Sequence, residues 1–230
     1  MILGIRMAID TLRGFRTLPE RDRQLLVAAT QEQRHPAGTV LFLEGQPGRY
    51  LWAVASGLVR IVKIGRGGRE MILDLIPPGE LFGAMAALDE RPYPASALAA
   101  EDCVVWRVPA ALARDVCQRY PTVRATVLEQ VAERLRSAHD RLRSVALDRV
   151  DQRLARMLLT LADKIGRSDG GVAVLTLTRQ QLADMVGTTV ETAIRTTRKW
   201  HQAGIIATAR QQLRLLDPGA LRRIAEGTGP

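Results

Sequence analysis

The stretch T-T-V-E-T-A-I-R, residues 188–195, follows Gly187 and sets one glutamate a helical turn before an arginine. On a helix, Glu191, Arg195 and Arg198 share one face at i, i+4 and i+7. The bland reading is an exposed i,i+4 ion pair. The alternative lies in what these groups recognise. An arginine fork reads guanine O6 and N7 bidentately, and a carboxylate accepts from the cytosine amino group. An acidic group facing a polyanion is unfavourable unless it meets a donor or orients a neighbouring arginine, so phosphate attraction alone does not account for Glu191. Base reading is the better answer, with Val190, Glu191, Ile194 and Arg195 on the exposed half of the helix.

Those residues need a scaffold that presents them. Upstream, T-R-Q-Q-L-A-D-M-V-G predicts a short helix with Thr178 as N-cap and Gln181 completing a capping box. Leu182, Met185 and Val186 are its core candidates, and Gly187 suits a left-handed C-terminal position. Thr188 or Thr189 then caps a second helix, spanning 189–203, with Ala193, Thr196, Thr197 and Trp200 turned towards the core. Two helices on a tight glycine turn make a helix-turn-helix. The segments G-I-I-A-T and R-Q-Q-L-R-L-L-D after it read as a wing. Before it, Val150, Leu154, Met157, Leu158, Leu161 and Ile165 form an amphipathic stripe, ended by the loop G-R-S-D-G-G at 166–171 and a strand V-A-V-L-T-L.

From Pro121 a different period rules. Leu128, Val131, Leu135, Ala138, Leu142 and Val145 follow at spacings of 3, 4, 3, 4 and 3, a heptad seam. A helix packed on a sheet would show the same stripe. The narrowness of this one, between two domains, favours a parallel dimer helix. Residues 39–109 hold short β-branched and aromatic runs, T-V-L-F-L, Y-L-W-A-V-A, L-V-R-I-V-K-I, E-M-I-L-D-L-I and C-V-V-W-R-V. Turns at Gly45–Gly48, Ser56-Gly57, Gly65–Gly68 and Pro77–Gly79 separate them, which predicts an antiparallel sandwich or roll. L-P-E-R-D-R-Q-L-L-V-A-A ahead of them reads as a short helix. The fold class is α+β: a β-roll over 1–120, a dimerisation helix over 121–147 and a winged helix-turn-helix over 148–230.

The charge follows this division. Of 33 basic and 24 acidic residues in 230, residues 149–230 hold 13 and 7, a surplus of 6, against a surplus of 3 in the first 148. A basic module on a near-neutral body points to nucleic acid or another anionic surface. No apolar stretch is long enough to span a membrane, and MILGIRMAIDTLRGF is a poor signal peptide, so a cytoplasmic protein is expected. Two cysteines, Cys103 and Cys117, make no disulfide framework and fall short of the four thiolates of an all-cysteine cluster.

The order β-roll, long helix, winged helix-turn-helix resembles the catabolite-activator and fumarate-nitrate-regulator (CRP/FNR) family of bacterial transcription factors, over nearly the whole chain. L-T-R-Q-Q-L-A-D-M-V-G-T-T-V-E-T-A-I-R at 177–195 and P-G-E-L-F-G at 78–83 carry the resemblance. It implies a homodimer on double-stranded DNA with a palindromic site, an activator that recruits RNA polymerase. It also implies that Thr178, Arg179 and Gln180 touch phosphates, and Thr189, Arg198, His201 and Arg210 join them as candidates. Val190 stands where the catabolite-activator branch has arginine, which implies an altered half-site retaining a G·C pair under Glu191 and Arg195. Thr196-Thr197 replaces a usually aliphatic pair.

Cyclic-AMP-binding members carry a glutamate after the glycine and an Arg-Ser/Thr pair about ten residues on. Here the stretch is G-A-M-A-A-L-D-E-R-P-Y-P-A-S-A, with Ala84 and Pro94 at those positions. A cyclic phosphate needs a bidentate cation or a nest of donors, so this counts against cyclic AMP. Gly83, Ala84, Met85, Ser96 and His139 are the candidate effector residues; no cofactor or metal is predicted, while haem or another small effector stays open. An enzyme on a cupin-like roll is disfavoured, because no histidine follows His35 in the roll and no catalytic triad, phosphate loop or carboxylate pair is evident. A roll whose helix-turn-helix binds only protein is the remaining alternative.

Overall fold

The computed structural model describes residues 15–65, 70–209 and 212–228. They form two compact units, divided between Ser137 and Ala138. The expected turn at 65–68 and the N-terminal stretch 1–14 lie wholly or largely outside the described residues.

The first unit opens with a 3-10 turn at Phe15–Thr17 and helix α1 (Glu20–Ala29), whose Glu20 and Asp22 suit its positive N-terminal end. Eight strands follow: β1 (Gln31–His35), β2 (Val40–Phe42), β3 (Tyr50–Ser56), β4 (Val59–Ile64), β5 (Glu70–Ile76), β6 (Leu81–Phe82), β7 (Ser96–Ala99) and β8 (Cys103–Pro109), with the short helix α2 (Ala84–Asp89) between β6 and β7. They build two antiparallel sheets, β1-β8-β3-β6 and β2-β7-β4-β5. Along β3 the two-residue period divides the side chains. Trp52 and Val54 enter a core shared by both sheets with Phe42, Ile76, Phe82 and Val105. Leu51 and Ala53 face the other way, into a second cluster built with helix residues such as Leu26, Ala113 and Val123. A strand buried on both faces reads as a continuous apolar run, which is why Y-L-W-A-V-A is so legible.

Several elements of this unit escape the periodicity reading, among them β6 and α2, which are too short to carry a pattern. The polar strand Q-E-Q-R-H pairs with β8, Gln31 opposite Arg107 through His35 opposite Cys103; its charge suits a sheet edge. S-A-L-A is wholly buried between β2 and β4, so it shows no alternation. Helix α3 (Ala110–Arg119) buries Ala113, Val116 and Cys117, small residues with a weak pattern. Helix α4 (Pro121–Leu147) begins at Pro121 as expected. Its Val123 and Val127 pack into the helix-side cluster, with Val131 against it. Arg134 reaches Asp74 at 3.4 Å, Glu80 at 3.6 Å and the Leu81 carbonyl.

In the second unit, α5 (Val150–Ile165) fully buries Leu154, Leu158 and Leu161. Residues 166–171, expected as a loop, contain strand β9 (Arg167–Asp169), which turns back onto β10 (Val172–Thr176) with Asp169 opposite Val172. Adjacent positive-φ Gly170 and Gly171, at 58° and 82°, make that reversal. Helices α6 (Arg179–Val186) and α7 (Val190–Gln202) follow, then β11 (Ile206–Ala209), β12 (Gln212–Leu215) and α8 (Pro218–Glu226). The sheet order is β11-β12-β10-β9. Helix α8 lies outside the sequence expectation; Asp217 caps it, accepting from the Ala220 amide at 2.8 Å, and it buries Leu221 and Ile224.

Candidate nucleic-acid interface

Thr178 precedes α6 in extended conformation and its hydroxyl accepts from the Gln181 amide at 3.1 Å, while Gln181 accepts from the Thr178 amide at 2.8 Å. Two of the helix's orphan donors are thereby met. Leu182, Ala183, Met185 and Val186 are buried. Gly187 ends the helix at φ 69°, ψ 49°, in the left-handed region that costs other L-residues about 1–2 kcal/mol. Thr189 then caps α7, accepting from the Thr192 amide at 3.3 Å. Only residues 187–189 separate the two helices.

The face of α7 turned inward is Ala193, Thr197 and Trp200, all buried, with Thr196 half-buried. The packing of the Thr196-Thr197 pair has a simple basis. The buried Thr197 hydroxyl donates to the Ala193 carbonyl at 2.8 Å, with the Ile194 carbonyl 3.2 Å away, so no polar atom is stranded.

The outward face carries Glu191, Ile194, Arg195 and Arg198, all exposed, and Val190 half-buried at its start. No ion pair joins Glu191 to Arg195 among the described residues. The Glu191 carboxylate is held below the usual range, first by its own backbone amide and then by the Thr189 hydroxyl. Arg195 and Arg198 have no protein partners among the described residues. Lys199, exposed at i+4 from Arg195, joins this face; the same spacing in the sequence marks it, although it is absent from the expected set.

Around this face, Gln180 and Thr189 are exposed and Thr178 and Arg179 half-buried. Burial pushes the Arg179 guanidinium below its ordinary value, and it stands beside the N-terminus of α6 with no protein anion on it among the described residues. His201 Nδ1 lies 3.2 Å from the Ile206 carbonyl. A carbonyl only accepts, so Nδ1 carries the proton and only Nε2 remains for another contact. Arg210 lies outside the described residues. Arg214 in the wing is engaged by Asp169 at 2.6 Å.

The candidate effector residues face different ways. Ala84 enters the helix-side cluster, whereas Met85 is 55% exposed. Ser96 is buried and its hydroxyl accepts from the Glu44 amide at 2.9 Å. Gly83 has φ 69°, and a Cβ there would meet Trp52 and Tyr93 ring carbons at 3.1 Å. Pro94 and Arg91 are exposed. The large buried side chain of that loop is Tyr93: its ring stacks on Phe42 with centroids 3.8 Å apart, and its hydroxyl donates to the Tyr50 carbonyl at 2.8 Å while accepting from Trp52 Nε1 at 3.0 Å. His139, in the second unit, is exposed on α4. Burial pushes both thiols up, Cys103 within the roll and Cys117 on α3, which marks them as core residues. Among the described residues no three His, Cys, Asp or Glu side chains cluster as a metal site, and no helix is long and apolar enough to cross a membrane.

An antiparallel roll, a long helix and a capped helix-turn-helix with a cationic outer face and a β-hairpin wing define a winged DNA-binding protein. A cyclic nucleotide-binding domain model matches residues 32–120 and a Crp-like helix-turn-helix domain model residues 152–224. The chain is 31% identical over 217 residues to the cyclic AMP receptor protein of Thermus thermophilus, covering 93% of this chain and 96% of the relative. It is 27% identical over 193 residues to the transcriptional activator protein anr of Pseudomonas aeruginosa, covering 83% and 78%. A solved CRP/FNR-family transcriptional regulator, also from Thermus thermophilus, superposes with a TM-score of 0.73 at 27% identity, covering 85% of this chain and 98% of that one. The chain belongs to the CRP/FNR family of transcriptional regulators. It is a DNA-binding regulator and not an enzyme.

Proposed function

We propose that this regulator acts as a homodimer in the cytoplasm, reads a palindromic site with α7, and activates transcription without cyclic AMP. The observation that carries the reading is the outer face of α7, where Arg195 and Arg198 stand free beside exposed Glu191 while the opposite face is buried. Base edges go to Val190, Glu191, Ile194 and Arg195. Phosphates go to Thr178, Arg179, Gln180, Thr189 and Arg198, and to His201 when its ring is doubly protonated; Arg210 keeps its expected phosphate role.

Dimerisation rests on α4. Leu128, Leu135, Leu142 and Val145 are 65%, 57%, 69% and 54% exposed, an apolar line on the helix that a second copy of this chain would cover. Val131 leans towards the roll instead, because a step of three residues falls short of a full turn and carries it towards the Val127 face. A parallel pair of α4 helices presents two recognition helices, hence the two-fold site.

Independence of cyclic AMP is supported by the residues after Gly83. No buried cation lines that segment, Ala84 carries no carboxylate, and Tyr93 fills the loop's interior with its hydroxyl engaged, so the donor set does not fit a cyclic phosphate. The relative named a cyclic AMP receptor protein supports the opposite reading, and the residues here outweigh the name. The relative named a transcriptional activator supports the activator reading.

Selection of bound duplexes from a random pool, with and without cyclic AMP, tests the core of the proposal. An enriched palindrome without ligand is expected; enrichment only with cyclic AMP overturns the ligand-free reading. Transcription from a promoter carrying that site, with purified polymerase, then distinguishes activator from repressor.

A further inference from the structure

Ile194 is 46% exposed on a face whose other exposed side chains, Glu191, Arg195, Arg198 and Lys199, are charged. The core side of α7 is already supplied by Ala193, Thr197 and Trp200, so packing gives no reason for a large apolar residue there. Helix propensity gives none either, since isoleucine is a poorer helix former than alanine or lysine. Val190 lies one turn earlier, at i−4, half-buried. The outer face is thus two parallel lines: Val190 and Ile194, apolar, beside Glu191, Arg195 and Lys199, charged.

We propose that the apolar line reads thymine, with Ile194 set against the 5-methyl group of a thymine next to the G·C pair assigned to Glu191 and Arg195. The inference rests on α7 being the base-reading helix. In the major groove only the A·T pair presents a methyl group, and its position distinguishes T·A from A·T. Isoleucine is well suited to meet it, because a β-branched side chain in a helix is held to essentially one χ1 rotamer and little freedom is lost on contact. Exposed cations next to the contact, Arg195 adjoining it in sequence and Arg198 one turn further on, anchor the helix so that a weak dispersive contact falls in register. The half-site therefore carries a thymine requirement that no charged residue of the protein explains.

The test uses the full-length protein and the duplex most enriched from a random pool. Each thymine of the half-site is replaced singly by deoxyuridine, which removes the methyl and keeps the pairing. One position is expected to lose about four-fold in affinity per half-site, the value of about one buried methyl group. Ile194→Ala is expected to bind the thymine and deoxyuridine duplexes equally at that position, while still discriminating against replacement of the G·C pair. A half-site lacking thymine beside that pair overturns the inference, as does wild-type indifference to every deoxyuridine. So does a preference for thymine that survives in Ile194→Ala. A protein that selects no duplex at all overturns the base-reading role of α7 as well, which separates the two failures.

Discussion

Glu191 and Arg195 sit one turn apart on α7 and do not pair: the carboxylate is held by the helix's own N-terminal donors, and the guanidinium has no protein partner among the described residues. A surface i,i+4 pair would contribute only a few tenths of a kcal/mol. Left unpaired, the Arg195 guanidinium keeps its hydrogen-bonding capacity for a ligand.

From this arrangement Arg195→Ala is expected to lose discrimination at one base pair by about 1–3 kcal/mol. Arg179→Ala, at the N-terminal end of α6, is expected to weaken all duplexes alike and reduce the slope of log affinity against log salt by about one. Binding isotherms on half-site variants at several salt concentrations separate the two. Uniform weakening by Arg195→Ala would remove its base-reading role.

The exposed line on α4 makes a second expectation. Truncating Leu135 and Leu142 to alanine removes two large apolar groups per chain, each worth about 1.5 kcal/mol or more when buried. The dimer dissociation constant should rise at least about a hundred-fold, read by sedimentation equilibrium, with the far-UV spectrum unchanged. An unchanged constant would assign the line to another use.

Inside the roll, Tyr93→Phe removes the hydroxyl that Trp52 Nε1 and the Tyr50 amide both use as acceptor. Two donors in a buried, aromatic setting lose a partner, which costs about 1–3 kcal/mol each where water cannot replace it. Denaturant unfolding followed by tryptophan emission measures the loss, and a change below about 0.5 kcal/mol would show that water replaces the hydroxyl.

Acid should loosen the first unit through Asp22. Its carboxyl is held below the usual aspartate range, first by the Tyr120 hydroxyl and then by Arg119, which lies 2.9 Å away. A depressed folded-state value contributes stability that is complete above the unfolded value of about 4 and is lost as pH falls through the folded one. Wild type should therefore lose stability relative to Asp22→Asn between about pH 5 and pH 2 and run parallel to it above. Parallel curves throughout would place the acid sensitivity elsewhere.

Much of this is legible in the sequence. The capping box at Thr178 and Gln181, the left-handed Gly187, and the buried line of α5 all follow from residues within a few positions of each other, and local sequence encodes local geometry directly. Strand β1 and strand β9 are not legible there, because a polar or glycine-flanked segment becomes a strand only when a partner supplies the other half of its hydrogen bonds. Helices α3 and α8 escape for a related reason: short alanine-rich segments carry little pattern until a neighbouring surface is present to bury them.

By itself, the sequence determined the order of modules, the two helices of the DNA-reading motif and the turn that separates them. Only the tertiary structure decided that Val131 leaves the seam for the roll, that Tyr93 rather than Pro94 occupies the interior of the loop after Gly83, and that Glu191 and Arg195 form no ion pair among the described residues. Each of these is a choice between partners of similar chemistry. Such choices are settled by which surface or donor lies within a few ångströms, and that distance is a property of the whole fold.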